Sequence, residues 1–197
     1  MAEKGAIHIG TSGYMYDHWR GVLYPEGMPK KQWLQHFAET FDTVEINNTF
    51  YNLPAANTFR NWAQEVPQGF CFALKFSRYG THMKKLKEPE QPIDTFLERA
   101  EFLGDALGPI LVQLPPNWKV NTDRLDAFLT AAPDRHRWAV ELRDASWLCD
   151  EVYEVLRTHN AALCVHDIIE NHPDVQTADW MYWRFHGVNY GGDYSHQ

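Results

Sequence analysis

The sequence is short of cysteine: Cys71, Cys149 and Cys164 are the only three in 197 residues, far apart and with no Cys-x-x-Cys spacing. A disulfide framework and a structural zinc site are therefore not expected. Long apolar runs are missing too, and Met1–Gly5 has no apolar signal region. The expectation is a soluble, cytoplasmic chain with no membrane partner. Positive charge is sparse: 18 Lys and Arg stand against 26 Asp and Glu, giving a formal net charge of −8. Binding along extended nucleic acid favours the opposite balance and is not expected, whereas a local positive pocket remains compatible with it. No G-x-G-x-x-G or Walker sequence marks a nucleotide-binding loop, neither Ser12 nor Ser146 lies in a G-x-S-x-G elbow, and no cofactor is assigned.

What the chain does have is aromatic and apolar residues in regular patterns. Hydrophobic residues make up 44% and Trp occurs eight times, enough to fill the core of one domain spanning residues 1–197. The stretch Trp138–Trp147 organises the rest. Trp138, Val140 and Leu142 point one way along a strand and Ala139, Glu141 and Arg143 the other, which gathers two charges on one face. Similar stretches recur at Ile7–Tyr14, Thr43–Tyr51, Cys71–Ser77, Ile110–Pro116, Ala162–Asp167 and Trp180–Gly187. Between them lie helical patterns: Trp33, Phe37 and Phe41 after Pro29; Phe59, Trp62, Ala63 and Val66; Ile93 to Leu107 between Pro92 and Gly108; Leu125, Phe128 and Leu129; and Val152, Val155 and Leu156.

Strands alternating with helices imply parallel pairing with right-handed crossovers. The predicted fold class is α/β, a TIM-type β/α barrel with apolar residues packing outward on helices and polar ones at the strand carboxyl ends. Seven strands are visible and an eighth is not, so the chain reads as about one βα unit short of the ~250 residues such barrels take. A barrel open between its first and last strands would expose edges that invite self-association.

With those stretches in hand, the chain resembles the YecE-like family, domain of unknown function 72. The resemblance rests on Ile9–Gly13, Val44–Tyr51, Lys75 with Thr81–His82, Gln113–Pro116, Val140–Arg143 with Ser146–Trp147, and Tyr182–Gly187. It implies a TIM-type barrel with a polar pocket and carries no established reaction. The chain stops after Gly191–Tyr194, where the family continues into a last strand with asparagines of its own.

Function in such a barrel sits at the strand carboxyl ends. The candidates there are Glu45, Lys75, Glu141 and His186 for catalysis, and Asn47, His82, Gln113, Arg143 and Arg184 for substrate binding. Lys75, Arg143 and Arg184 suit an anionic group, guanidinium forks matching phosphate or carboxylate geometry. Glu45 or Glu141 is then the general base, with His186 or His82 as partner acid. The leading expectation is an enzyme using acid–base chemistry on a small phosphorylated or carboxylated substrate. A second is a hydrolase or isomerase holding a divalent metal on Glu45, Glu141, Asp167, His166 and His186, which the interleaved Lys and Arg oppose. A third is a non-catalytic module for a nucleotide or a nucleic-acid end, with Tyr14, Trp19 and Tyr51 stacking on bases. A structural ion network, in which Glu45, Glu141 and Asp167 neutralise Lys75, Arg143 and Arg184, is the plain alternative. Six histidines outside this set, His172 among them, read as surface or internally satisfied.

Overall fold

The computed structural model describes residues 5–187. Seven parallel strands, the first six alternating with helices and the last reached through an irregular segment, make a mixed α/β fold, and within each of two compact units strands adjacent in sequence are adjacent in the sheet. One unit contains the chain up to Lys75 together with Phe96–Gly108. The other contains Phe76–Thr95 and the chain from Pro109 onward. Among the described residues no helix is long and apolar enough to cross a membrane.

In the first unit β1 (Gly10–Ser12), β2 (Thr43–Ile46) and β3 (Cys71–Lys75) pair in parallel, with Ser12 opposite Glu45 and Glu45 opposite Ala73. Close approach sets one residue here: a Cβ on Gly10 would stand 1.9 Å from the Thr43 carbonyl oxygen. The helical pattern after Pro29 becomes a 3-10 turn, Lys30–Gln32, and a short α1, Trp33–Phe37. Trp33 and Phe37 are wholly buried. Tyr24 stacks on Trp33 with ring centroids 4.2 Å apart, and its hydroxyl donates to the Tyr14 carbonyl at 2.5 Å.

The nine-residue strand expected over Thr43–Tyr51 is corrected: β2 ends at Ile46, and α2 (Asn48–Tyr51) follows. Asn47 has already turned to helical backbone angles. The Thr49 hydroxyl lies 2.9 Å from the Ile46 carbonyl and 2.8 Å from that of Lys75, claiming acceptors that a longer ladder would use. After α3 (Ala56–Glu65), the long stripe from Ile93 to Leu107 is also divided. It is α4 (Glu90–Ala100) and then a 3-10 segment, Glu101–Ala106, broken at Gly104 with φ +56°.

In the second unit the part of β4 (Leu107–Gln113) from Pro109 onward, β5 (Trp138–Glu141), β6 (Ala162–His166) and β7 (Tyr182–Arg184) pair in parallel. Pro115 and Pro116 follow β4, and proline offers no N–H to a ladder. The strand predicted through Arg143 stops at Glu141. The Leu142 carbonyl is taken by a histidine side chain, and Asp144 opens a 3-10 turn, Ala145–Trp147, by accepting the Ser146 N–H. On the outward face Trp138 meets Phe76 and Phe128 edge-on, Phe128 being carried by α5 (Thr122–Ala131), which packs beside α6 (Asp150–Thr158). The irregular segment after β6 returns to that strand at Thr177. Its buried hydroxyl accepts the Leu163 N–H at 2.8 Å and donates to the Ala161 carbonyl at 2.7 Å.

Candidate functional site

Alternation along four strands builds two layers on one face of the second unit. Leu111, Ala139, Ala162 and Cys164 form a buried apolar cluster, with Ala178, Trp180 and Tyr182 packed against it. Two residues on from Leu111, Ala139, Cys164 and Tyr182, the same face carries Gln113, Glu141, His166 and Arg184 at the carboxyl ends. Register joins them in pairs, Gln113 opposite Glu141 and His166 opposite Arg184.

Glu141 is the centre of this polar layer. Its side chain is wholly buried, Arg143 Nε donates to Oε1, and Arg184 Nη1 donates to Oε2. Burial pushes the carboxyl pKa up. The Arg184 and Arg143 charges outweigh that and hold it below its ordinary 4.5, so it stays ionised.

Two histidines stand beside it. His166 is buried, with Nε2 2.8 Å from the Leu142 carbonyl and Nδ1 accepting the Ile168 N–H at 3.2 Å. Both ring nitrogens are thereby matched by the neutral tautomer, and burial keeps the pKa below 6.5. The His172 ring lies 4.3 Å from that of His166, centroid to centroid. Its Nδ1 is 3.0 Å from the Pro173 carbonyl, which can only accept, so Nδ1 bears the hydrogen and Nε2 the lone pair. Nε2 is buried and has no hydrogen-bond partner among the described residues, as is also true of Gln113 Oε1. Burial lowers the His172 pKa as well.

His186 follows β7 on the same alternation. Its backbone N–H donates to both Asp167 oxygens at 2.9 Å, its Nδ1 lies 3.0 Å from Oδ1, and the Gly187 N–H donates to Oδ2 at 3.1 Å. Asp167 thus orients the ring with Nδ1 as donor, which places the basic lone pair on Nε2. His82 lies in the turn Tyr79–Met83. The Thr81 hydroxyl donates to the Ser77 carbonyl and accepts from His82 Nδ1 at 2.9 Å.

The other predicted residues lie in the first unit. Glu45, buried on β2, accepts from Ser12 Oγ at 2.9 Å and Asn47 Nδ2 at 3.0 Å. Lys75 ends β3 with its ammonium 4.6 Å from the Phe50 ring centroid. Burial and the Glu45 charge together raise the pKa of Tyr16. Of the aromatic residues weighed for base stacking, Tyr14 is buried, Trp19 lies parallel to Phe37, and Tyr51 is exposed. Among the described residues no three His, Cys, Asp or Glu side chains gather to hold a metal.

Sequence reading places His172 with the satisfied histidines and His166 only among the alternative metal ligands. The parity Ala162, Cys164, His166 was available to place the second. Nothing periodic surrounds the first.

These features define a class: a parallel α/β protein with apolar residues on one face of its strands and a charged cluster at their carboxyl ends. The chain belongs to the family described as "Protein of unknown function DUF72", which matches residues 8–197. It is 29% identical over 111 residues to the UPF0759 protein YecE of Escherichia coli K12, a match covering 56% of this chain and 41% of that protein. It is 27% identical over 159 residues to the UPF0759 protein YunF of Bacillus subtilis, covering 75% and 54%. The chain thus spans about half the length of these curated relatives. A DUF72 family protein of Thermotoga maritima superposes with TM-score 0.80 at 30% identity, over 92% of this chain and 75% of that one. One of Enterococcus faecalis gives 0.64 at 20% identity over 81% and 72%, a likeness of fold.

Proposed function

We propose that the second unit binds a small anion at Arg143 and Arg184 and performs acid–base chemistry on it. The observation that carries this is the buried Glu141 carboxylate held by the Arg143 and Arg184 guanidiniums, which brings two forks together at the strand carboxyl ends. In this reading Glu141 orients the arginines, since a carboxylate with a lowered pKa is a weak base. His186, aligned by Asp167, transfers the proton. Gln113 contacts the substrate. Glu45, Lys75 and Asn47 of the first unit, and His82 of the second, enter as residues for individual alanine tests. The strands are read as consecutive staves of one β/α barrel domain, a reading supported by their parallel pairing with sequence neighbours.

A thermal-shift series of phosphorylated and carboxylated compounds tests the anion reading, because a ligand of the folded state raises the transition temperature. A rise with such compounds that Arg184→Ala removes is the expected result. No rise with any of them refutes it, and a rise confined to divalent metals favours a metal-dependent hydrolase or isomerase. Self-association belongs to the same reading: Met181, Trp183 and Phe185 alternate along and beside β7 and are exposed.

A further inference from the structure

The first unit has a groove of its own, between α1 and α3. Thr58, Asn61, Trp62 and Glu65 of α3 form one wall, at spacings that put them on a single helical face about 10 Å long. Lys30, Lys31 and Leu34, from the 3-10 turn and α1, form the other, and Tyr14 and Met15 complete a cavity of about 270 Å³. Small-molecule sites begin near that size, at about 300 Å³.

The floor of the groove is apolar. Leu34 and Tyr14 are buried, and Trp62 is held edge-on against Phe59 with ring centroids 5.3 Å apart. Its rim carries both signs of charge. Lys30 is engaged by Asp17 at 2.8 Å, whereas the side chains of Lys31, Asn61 and Glu65 have no hydrogen bond or ion pair among the described residues. The Glu65 carboxylate lies near the floor: burial and then its charge raise the Tyr14 pKa. Opposite charges that line one groove without pairing favour an occupant bearing both signs, since a lone anion or cation meets one partner and one like charge. Thr58 and Asn61, each able to donate and to accept, suit peptide groups, and the α3 face is as long as about three extended residues. We propose that this groove binds a short linear peptide with both termini free and an aromatic side chain between them. Lys31 meets the carboxylate, Glu65 meets the ammonium, and the ring lies on Trp62 and Leu34.

The experiment titrates the isotope-labelled whole chain with the tripeptide Gly-Phe-Gly and follows the Trp62 indole N–H by NMR, its signal assigned with Trp62→Phe. A saturable shift is expected by ~10 mM peptide, tenfold above a millimolar Kd. Acetylating the amino end or amidating the carboxyl end should each weaken binding about fivefold, the scale of a partly exposed ion pair. Glu65→Gln should abolish the first difference and Lys31→Met the second, with circular dichroism checking that each variant folds. Triglycine, which lacks the ring, should leave the signal in place. No shift with Gly-Phe-Gly overturns the proposal, as do equal affinities for the free and capped peptides or free phenylalanine binding as tightly as the tripeptide.

Discussion

Arg184 on β7 reaches past β6 to donate to Glu141 Oε2 on β5. Forty-three residues separate the two in sequence, and Arg143 holds the opposite oxygen from only two residues away. The wholly buried carboxylate is thus fastened once locally and once across the sheet.

Removing that carboxylate should be costly. Glu141→Ala leaves two mostly buried guanidiniums facing one another, and breaking a buried ion pair from one side costs about 3–5 kcal/mol. Urea denaturation measures it; a loss below about 1 kcal/mol would show that water reaches both arginines.

Acid should weaken the fold in two stages. His166 and His172 have folded pKa values below 6.5, so their contribution is complete above that pH and is lost as pH falls through the folded values. The Glu141 contribution is present above about 4.5 and is lost below it, as the carboxyl protonates at its depressed folded value. Denaturation midpoints from pH 8 down to pH 3 test the order. His166→Gln should flatten the upper stage and leave the lower one; an unchanged upper slope in that variant contradicts the assignment.

Gly108 is a steric test of the first unit. A Cβ there would stand 2.2 Å from Cys71 Sγ and 3.0 Å from the Phe72 carbonyl oxygen. Gly108→Ala should cost about 1–3 kcal/mol through overpacking, and pairing it with Cys71→Ala should recover part of that loss. Additive losses in the double variant would mean that the sulfur is not the obstacle.

Asp167→Asn should disturb His186 without unfolding the chain, because Asp167 lies at the surface and the amide keeps one oxygen to accept the His186 and Gly187 N–H groups. Nitrogen-detected NMR of labelled histidine should report a single Nδ1–H form of His186 in the parent chain and a mixture in the variant. A mixture in both would remove Asp167 as the orienting group.

Trp183→Ser with Phe185→Ser should reduce concentration-dependent association in sedimentation velocity, since both side chains are exposed beside β7. A parent chain that stays monomeric at every concentration would rule out this surface as an association site.

Much of the architecture was legible because burial imposes a period. Trp138, Val140 and Leu142 against Ala139, Glu141 and Arg143 announced which way β5 faces, and the prolines after Gln113 announced where β4 stops. Strand ends were misread where a distant group intervenes: Thr49 closes β2 partly through the Lys75 carbonyl, and His166 claims the carbonyl of Leu142. The site was half legible for the same reason. Parity put Glu141 and Arg184 on inward faces, but whether Arg184 meets Glu141 or Asp167 depends on neighbouring strands. His172 sits in an irregular stretch where no spacing distinguishes a ring turned inward from one turned to solvent.

Thr177, with one hydroxyl fastened to both Ala161 and Leu163, gives the segment after β6 a second anchor; His166 is the first. Residues 167–176 therefore form a closed excursion that leaves the sheet and returns to the same strand, carrying His172 between two fixed posts. A change of length or side chain within such an excursion is absorbed between the posts, so substitutions at residues 167–176 leave the strand pairing beneath them in place.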